Sequence, residues 1–117
     1  MNKLITVAVI DSGIYPHIDF KNRIVAFKDF VNGRKNAYDD CGHGTHVSGI
    51  IAGSGYASHG RIRGICPSAC LAGIKVLDRL GNGRIENVLD AAGWIISHQK
   101  DLNIRVVNIS FGATTFG

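Results

Sequence analysis

The chain has 117 residues, 45% of them hydrophobic, and 13 Lys and Arg against 9 Asp and Glu give a formal net charge of +4, which suits one globular domain with a core. The basic residues are scattered, and even the densest group, Arg61 and Arg63, flanks an apolar residue in a Gly-rich loop. Without a basic stripe and interleaved aromatics the charge reads as solvated surface and no nucleic acid is expected as partner; no apolar run reaches membrane-spanning length either, so no membrane is expected.

The N-terminus carries one basic residue, Lys3, and passes straight into an apolar run with no small-residue cleavage site before Asp11. No signal peptide is expected. Cys41, Cys66 and Cys70 are an odd set, which favours reduced thiols and a cytoplasmic location. Cys66 and Cys70 lack a second Cys or His pair at zinc-binding distance.

Leu4 to Ile10 is a continuous apolar run rich in β-branched residues, the pattern of a strand buried on both faces of a parallel sheet. It ends at Asp11-Ser12-Gly13, a turn signal. Functional groups of open α/β sheets gather just past the carboxyl ends of strands, so Asp11 is a candidate site residue, although an Asp also caps turns. Ile14 to Asn22 reads as loop and Ile24 to Phe30 as a second strand. Val31 to Gly42 is a polar loop. Within it Asp39 and Asp40 have no accompanying ligand series and read as solvated turn residues rather than calcium ligands.

A helix is predicted from His43 to Ala52, with Val47, Ile50 and Ile51 at helical spacing. Gly44 and Gly49 leave room for another backbone. His43 at the start of a rigid helix is well mounted for proton transfer. Ser54 to Arg63 reads as a flexible connection, Leu71 to Leu77 as a third strand and Gly81-Asn82-Gly83 as a break. Arg84 to Lys100 is the clearest helix, with Ile85, Val88, Leu89, Ala92, Ile95 and Ile96 as its expected core face. Gly93 within it suggests close packing. Ile104 to Ile109 is a fourth strand, ending at Ser110-Phe111-Gly112. The alternation predicts an α/β fold with a parallel, doubly wound sheet and right-handed crossovers.

Asp11 and His43 now stand as a pair. In nucleophilic hydrolysis a buried carboxylate orients the imidazole of the general base. Asp, then His, then Ser is one known chain order for that triad.

Four segments together resemble the subtilisin-like serine proteases, or subtilases. Val9-Ile10-Asp11-Ser12-Gly13 is similar to the family's Asp motif. Gly42-His43-Gly44-Thr45-His46-Val47-Ser48-Gly49 is similar to its His motif. Gly81-Asn82-Gly83 is similar to its Gly-x-Gly loop, and Val106 to Gly112 to the strand ending in Ser-x-Gly. His59 to Ala69 and Arg84 to Ile96, with the absent signal, most resemble the intracellular bacterial branch.

The resemblance implies a subtilisin-like three-layer sandwich, incomplete here, with residues 1–117 as the N-terminal portion of a peptidase catalytic domain. It implies that Asp11 orients and that His43 is general base and then general acid. Gly81, Asn82 and Gly83 on one side, and Ser110, Phe111 and Gly112 on the other, would bind the backbone of an extended polypeptide substrate. His46 would be structural. Some family members pair a Cys at the position of Cys41 with one in the loop after the third strand; Arg79 stands in that loop, so no such disulfide is expected. No cofactor and no metal are implied, and calcium in a complete domain finds no support in this chain.

The family's nucleophile lies in a downstream Gly-Thr-Ser-Met-Ala motif, and its oxyanion-hole Asn also comes later. None of the seven serines has that context. The isolated chain is therefore expected to be inactive, with the remainder of its own catalytic domain as partner. Two other readings stay open. One is a non-catalytic module that binds extended peptides by β-augmentation. The other is a metal hydrolase using His43, His46 and Asp11 or Asp40, although the Glu of an H-E-x-x-H site is missing.

Overall fold

The computed structural model describes residues 4–110. Its four strands are β1 (Thr6–Asp11), β2 (Ile24–Asp29), β3 (Cys70–Lys75) and β4 (Ile104–Ile109). They form one parallel sheet in the order β2-β3-β1-β4. Helix α1 (His43–Ala52) joins β2 to β3, and α2 (Ile85–Leu102) joins β3 to β4. Short 3-10 turns at Ile18–Phe20 and Tyr56–Ser58 interrupt the two segments expected to be plain loop. Among the described residues no helix is long and apolar enough to cross a membrane.

Strand side chains alternate between faces, and here the alternation sorts the core into two layers. Ala8 and Ile10 of β1, Ala72 and Ile74 of β3, and the following Val76 pack with Ala91 and Ile95 of α2. Val7, Val9 and Leu71 pack with Ile14, Phe20 and Ala52 on the opposite face, beside Val47 and Ile51 of α1. The continuous apolar runs of β1 and β3 thus serve two helix layers. This is the three-layer α/β sandwich expected from the sequence.

The winding departs from expectation. Both β2-α1-β3 and β3-α2-β4 advance in the same direction across the sheet, yet their helices lie on opposite faces. The two crossovers must have opposite hands. The connection from β1 to β2 runs back across the sheet and buries Phe20 on the α1 face, which gives it the hand of the α2 crossover. Right-handed winding is the strong rule because strand twist favours it. The α1 crossover is therefore the left-handed exception.

The helices also present other faces than the sequence pattern suggested. In α1 the fully buried stripe is Gly44, Ser48 and Ala52, and Ile50 is exposed. A Cβ at Gly44 would lie 2.1 Å from the carbonyl oxygen of Gly13, so this close backbone approach requires glycine, whereas Gly49 has open space around it. In α2, Ala91 and Ile95 are buried, with Val88, Trp94 and Leu102 packed against the same core. Ile85, Leu89 and Ile96, expected in the core, are 60%, 65% and 79% exposed. Gly93 likewise meets nothing. The helix carries two apolar stripes, and spacing alone cannot say which one the sheet takes.

Candidate active site

Period-two alternation puts Asp11 on the same side of β1 as Val7 and Val9, the side covered by α1. Asp11 is fully buried at the carboxyl end of the strand. His43 starts α1 and swings its ring over that end, so its Nδ1 lies 2.9 Å from both Asp11 carboxylate oxygens. The Ser12 amide donates to Asp11 Oδ1 at 2.7 Å. The His43 side chain is 48% exposed, so the pair has one sealed member and one open to solvent.

Asp39 bridges these two backbones. Its Oδ1 accepts from Ser12 Oγ at 2.8 Å, from the Cys41 amide at 3.1 Å and from the Gly42 amide at 2.8 Å. Its Oδ2 accepts from the Thr45 amide at 2.8 Å and the Thr45 hydroxyl at 2.6 Å. Ser12 Oγ in turn accepts from the Gly44 amide at 2.9 Å. Burial alone would raise the Asp39 carboxyl, but the hydrogen bonds from Thr45, Gly42 and Ser12 outweigh it and hold the group below its ordinary value. Asp39 is therefore no solvated turn residue, as its loop composition suggested.

Asp40 has a different partner. Lys75 is the register neighbour of Asp11 on β3 and is fully buried. Its ammonium spends its three donors on Ser12 O at 2.6 Å, Leu77 O at 2.7 Å and Asp40 Oδ1 at 2.7 Å. It also sits 5.2 Å from the centre of the Tyr38 ring. Tyr38 donates its hydroxyl to Asp29 at 2.5 Å. Asp29 also accepts from the Val31, Asn32 and Arg34 amides, which fixes the loop leading to α1. Burial raises the Asp29 carboxyl, yet these bonds bring it below the usual range, while burial and the Asp29 bond push the Tyr38 phenol up.

The remaining candidates lie along the same sheet edge. Gly83 bridges to Leu77 just beyond β3. Gly81 has a φ of +80, the left-handed region that glycine adopts without strain. Gly81, Asn82 and Gly83 are exposed. Asp78 pins this loop by accepting from the Leu80 and Asn82 amides at 2.9 and 3.0 Å, and those bonds lower its carboxyl. Ile109 pairs with Ile10, so Ser110 follows β4 next to Asp11 along the edge. The Ser110 hydroxyl donates to Asn108 Oδ1. Phe111 and Gly112 lie outside the described residues. His46 is exposed, on the rim of a concavity of about 430 Å³ shared with His17, Asp19, Ile50 and Arg63. Among the described residues no three His, Cys, Asp or Glu side chains come together to hold a metal ion, so His43 and His46 do not assemble with Asp11 or Asp40 into the set a metal hydrolase requires. Cys41, Cys66 and Cys70 are free thiols.

The model of the Subtilase family, peptidase S8, matches residues 2–117.

The chain belongs to the subtilase family.

Among its relatives, Serine protease AprX of Bacillus subtilis (strain 168) is 46% identical over 99 residues, covering 85% of this chain and 22% of the relative. Subtilisin E of the same strain is 40% identical over 113 residues, covering 95% and 28%. A crystal structure of a cold adapted subtilisin-like serine proteinase superposes with a TM-score of 0.69 at 34% identity, covering 80% of this chain and 32% of that one. The chain thus spans less than a third of the length of these relatives.

For this subtilase the residue patterns singled out Asp11 and His43, the resemblance added the glycine loop, and neither singled out Asp39, Lys75 or Asp78. Two of the three left a signal. A lysine inside Leu71-Ala72-Gly73-Ile74-Lys75-Val76-Leu77 is a charge in a buried strand, which needs partners. An Asp three residues before a glycine at a helix start is placed to accept from the intervening amides.

Proposed function

We propose that this chain is part of a serine endopeptidase that hydrolyses extended polypeptides through an Asp-His-Ser triad. Asp11 orients the imidazole and steadies its charged form. His43 takes the proton of the nucleophilic serine and then delivers it to the leaving amine. The serine and the oxyanion-hole donor come from polypeptide outside these 117 residues. Gly81, Asn82 and Gly83, together with Ser110, Phe111 and Gly112, line the two sides of the substrate backbone.

One observation carries the reading: His43 Nδ1 stands 2.9 Å from both oxygens of a fully buried carboxylate. A carboxylate in that position accepts the Nδ1 proton and leaves the Nε2 lone pair free, the tautomer a general base requires.

The test joins this chain to its serine-bearing segment and measures peptide hydrolysis. Asp11→Asn is expected to lower kcat by about four orders of magnitude with the fold intact, because the imidazole adopts the wrong tautomer. His43→Ala should lose at least as much, and the double variant little more, because the residues act as a unit. Full activity in Asp11→Asn would defeat the proposal. A serine-directed fluorophosphonate separates the peptidase from a peptide-binding module: only the peptidase is labelled, and labelling depends on His43.

A further inference from the structure

We propose that Asp39 is a positioning residue for the Asp11–His43 pair, a role that rests on the triad reading above. Two hydrogen-bond paths leave its single carboxylate. One runs from Oδ1 through the Ser12 hydroxyl to the turn whose amide holds Asp11 Oδ1. The other runs to the Cys41 and Gly42 amides before His43 and to Thr45 after it. The two paths meet again where Ser12 Oγ accepts from Gly44 and where Thr45 Oγ1 accepts from the Tyr15 amide at 2.9 Å. His43 is bracketed on both sides, and Asp11 is held through its neighbour.

The local structure needs such a group. The residue before α1 is Gly42, in the left-handed region at φ 99, and it has no side chain to cap the helix. Asp39 reaches forward to do so, and its negative charge suits the positive end of the helix. A cap alone would need only the bonds to the first turn. The additional bond to Ser12 ties that turn to the end of β1, across 27 positions of chain. Reacting groups misplaced by about 1 Å cost on the order of 100-fold in rate, so the tie has a catalytic consequence although Asp39 touches no reacting atom.

The test uses the serine-bearing protein. Ser12→Ala breaks the tie to β1 but keeps every bond from Asp39 to α1, and Asp39→Asn weakens both. Each is expected to lower kcat by about 10- to 100-fold with KM nearly unchanged, and to broaden or abolish the low-field NMR signal of the His43 Nδ1 proton. Asp39→Asn should also speed exchange of the Gly42 and Thr45 amides, whereas Ser12→Ala should speed only that of Gly44, which loses the Ser12 hydroxyl. If Asp39→Asn fails to fold, Ser12→Ala decides alone. Unchanged kcat and an unchanged Nδ1 signal in Ser12→Ala would reduce Asp39 to a helix cap and overturn the proposal. Asp11→Asn serves as control: if it leaves the Nδ1 signal in place, the triad reading fails rather than the role of Asp39.

Discussion

Lys75 puts a charge where β3 otherwise carries small and aliphatic side chains, and its surroundings are built to match. Asp40 is its counter-ion and is 37% exposed on its side chain, so solvent already screens part of the pair. Asp40→Ala leaves the buried ammonium one partner short and is expected to cost about 1–3 kcal/mol, read as a lower urea midpoint. Lys75→Met, which removes the charge itself, should cost less than that. The carboxylates of Asp39 and Asp29 predict an acid limb. Both are held below their ordinary values in the folded state. Their stabilisation is therefore complete above the unfolded carboxylate range near about pH 4 and is lost as pH falls through the folded values. Urea midpoints measured downward from pH 5 should drop steeply below about pH 4, and less steeply in Asp29→Asn. At this scale the sequence was readable wherever chemistry and local spacing coincide, as for Asp11 after a strand and His43 at a helix start. Asp39 left a local signal as a helix cap, but its bond to Ser12, 27 positions away in the chain, could not be read from spacing.

The strands were legible because a parallel sheet buried on both sides demands unbroken apolar runs, and β1 and β3 have them. The helices were legible in extent but not in orientation. In α2, Val88 and Ile95 face the sheet as expected, while Ile85, Leu89 and Ile96 stand in the open. Two glycines make the difference measurable. Gly93 lies mid-helix with open space around it, so Gly93→Ala should stabilise this chain by about 0.5–1 kcal/mol through helix propensity alone. Gly44→Ala should destabilise it by several times as much, since the added methyl runs into the Gly13 carbonyl. Thermal melts of the two variants should shift in opposite directions.

At the scale of the whole molecule, β4 is the last strand on its side of the sheet among the described residues, its outer edge is unpaired there, and its Val106, Val107 and Ile109 are exposed. Exposed apolar side chains on both faces of an unpaired strand edge are a template for association. The 117-residue chain alone is expected to self-associate in a concentration-dependent way and to bind a hydrophobic dye, both suppressed when the following polypeptide is attached; light scattering would show a stable monomer if this is wrong. The left-handed winding around α1 has a consequence of another kind, in time rather than in energy. Strand twist steers the segment between β2 and β3 toward the opposite face, so a chain that collapses by local preference starts on the wrong side. The contacts that reward the correct side, Gly44 against Gly13 and Asp39 on Ser12, join residues about thirty apart, and they form only after that loop has closed. The barrier to folding is raised, and once those contacts exist the route out is equally obstructed. Such a molecule is expected to be slow both to arrive at its native shape and to leave it, so that refolding and unfolding rates, read by stopped-flow fluorescence, describe its lifetime better than its margin of stability.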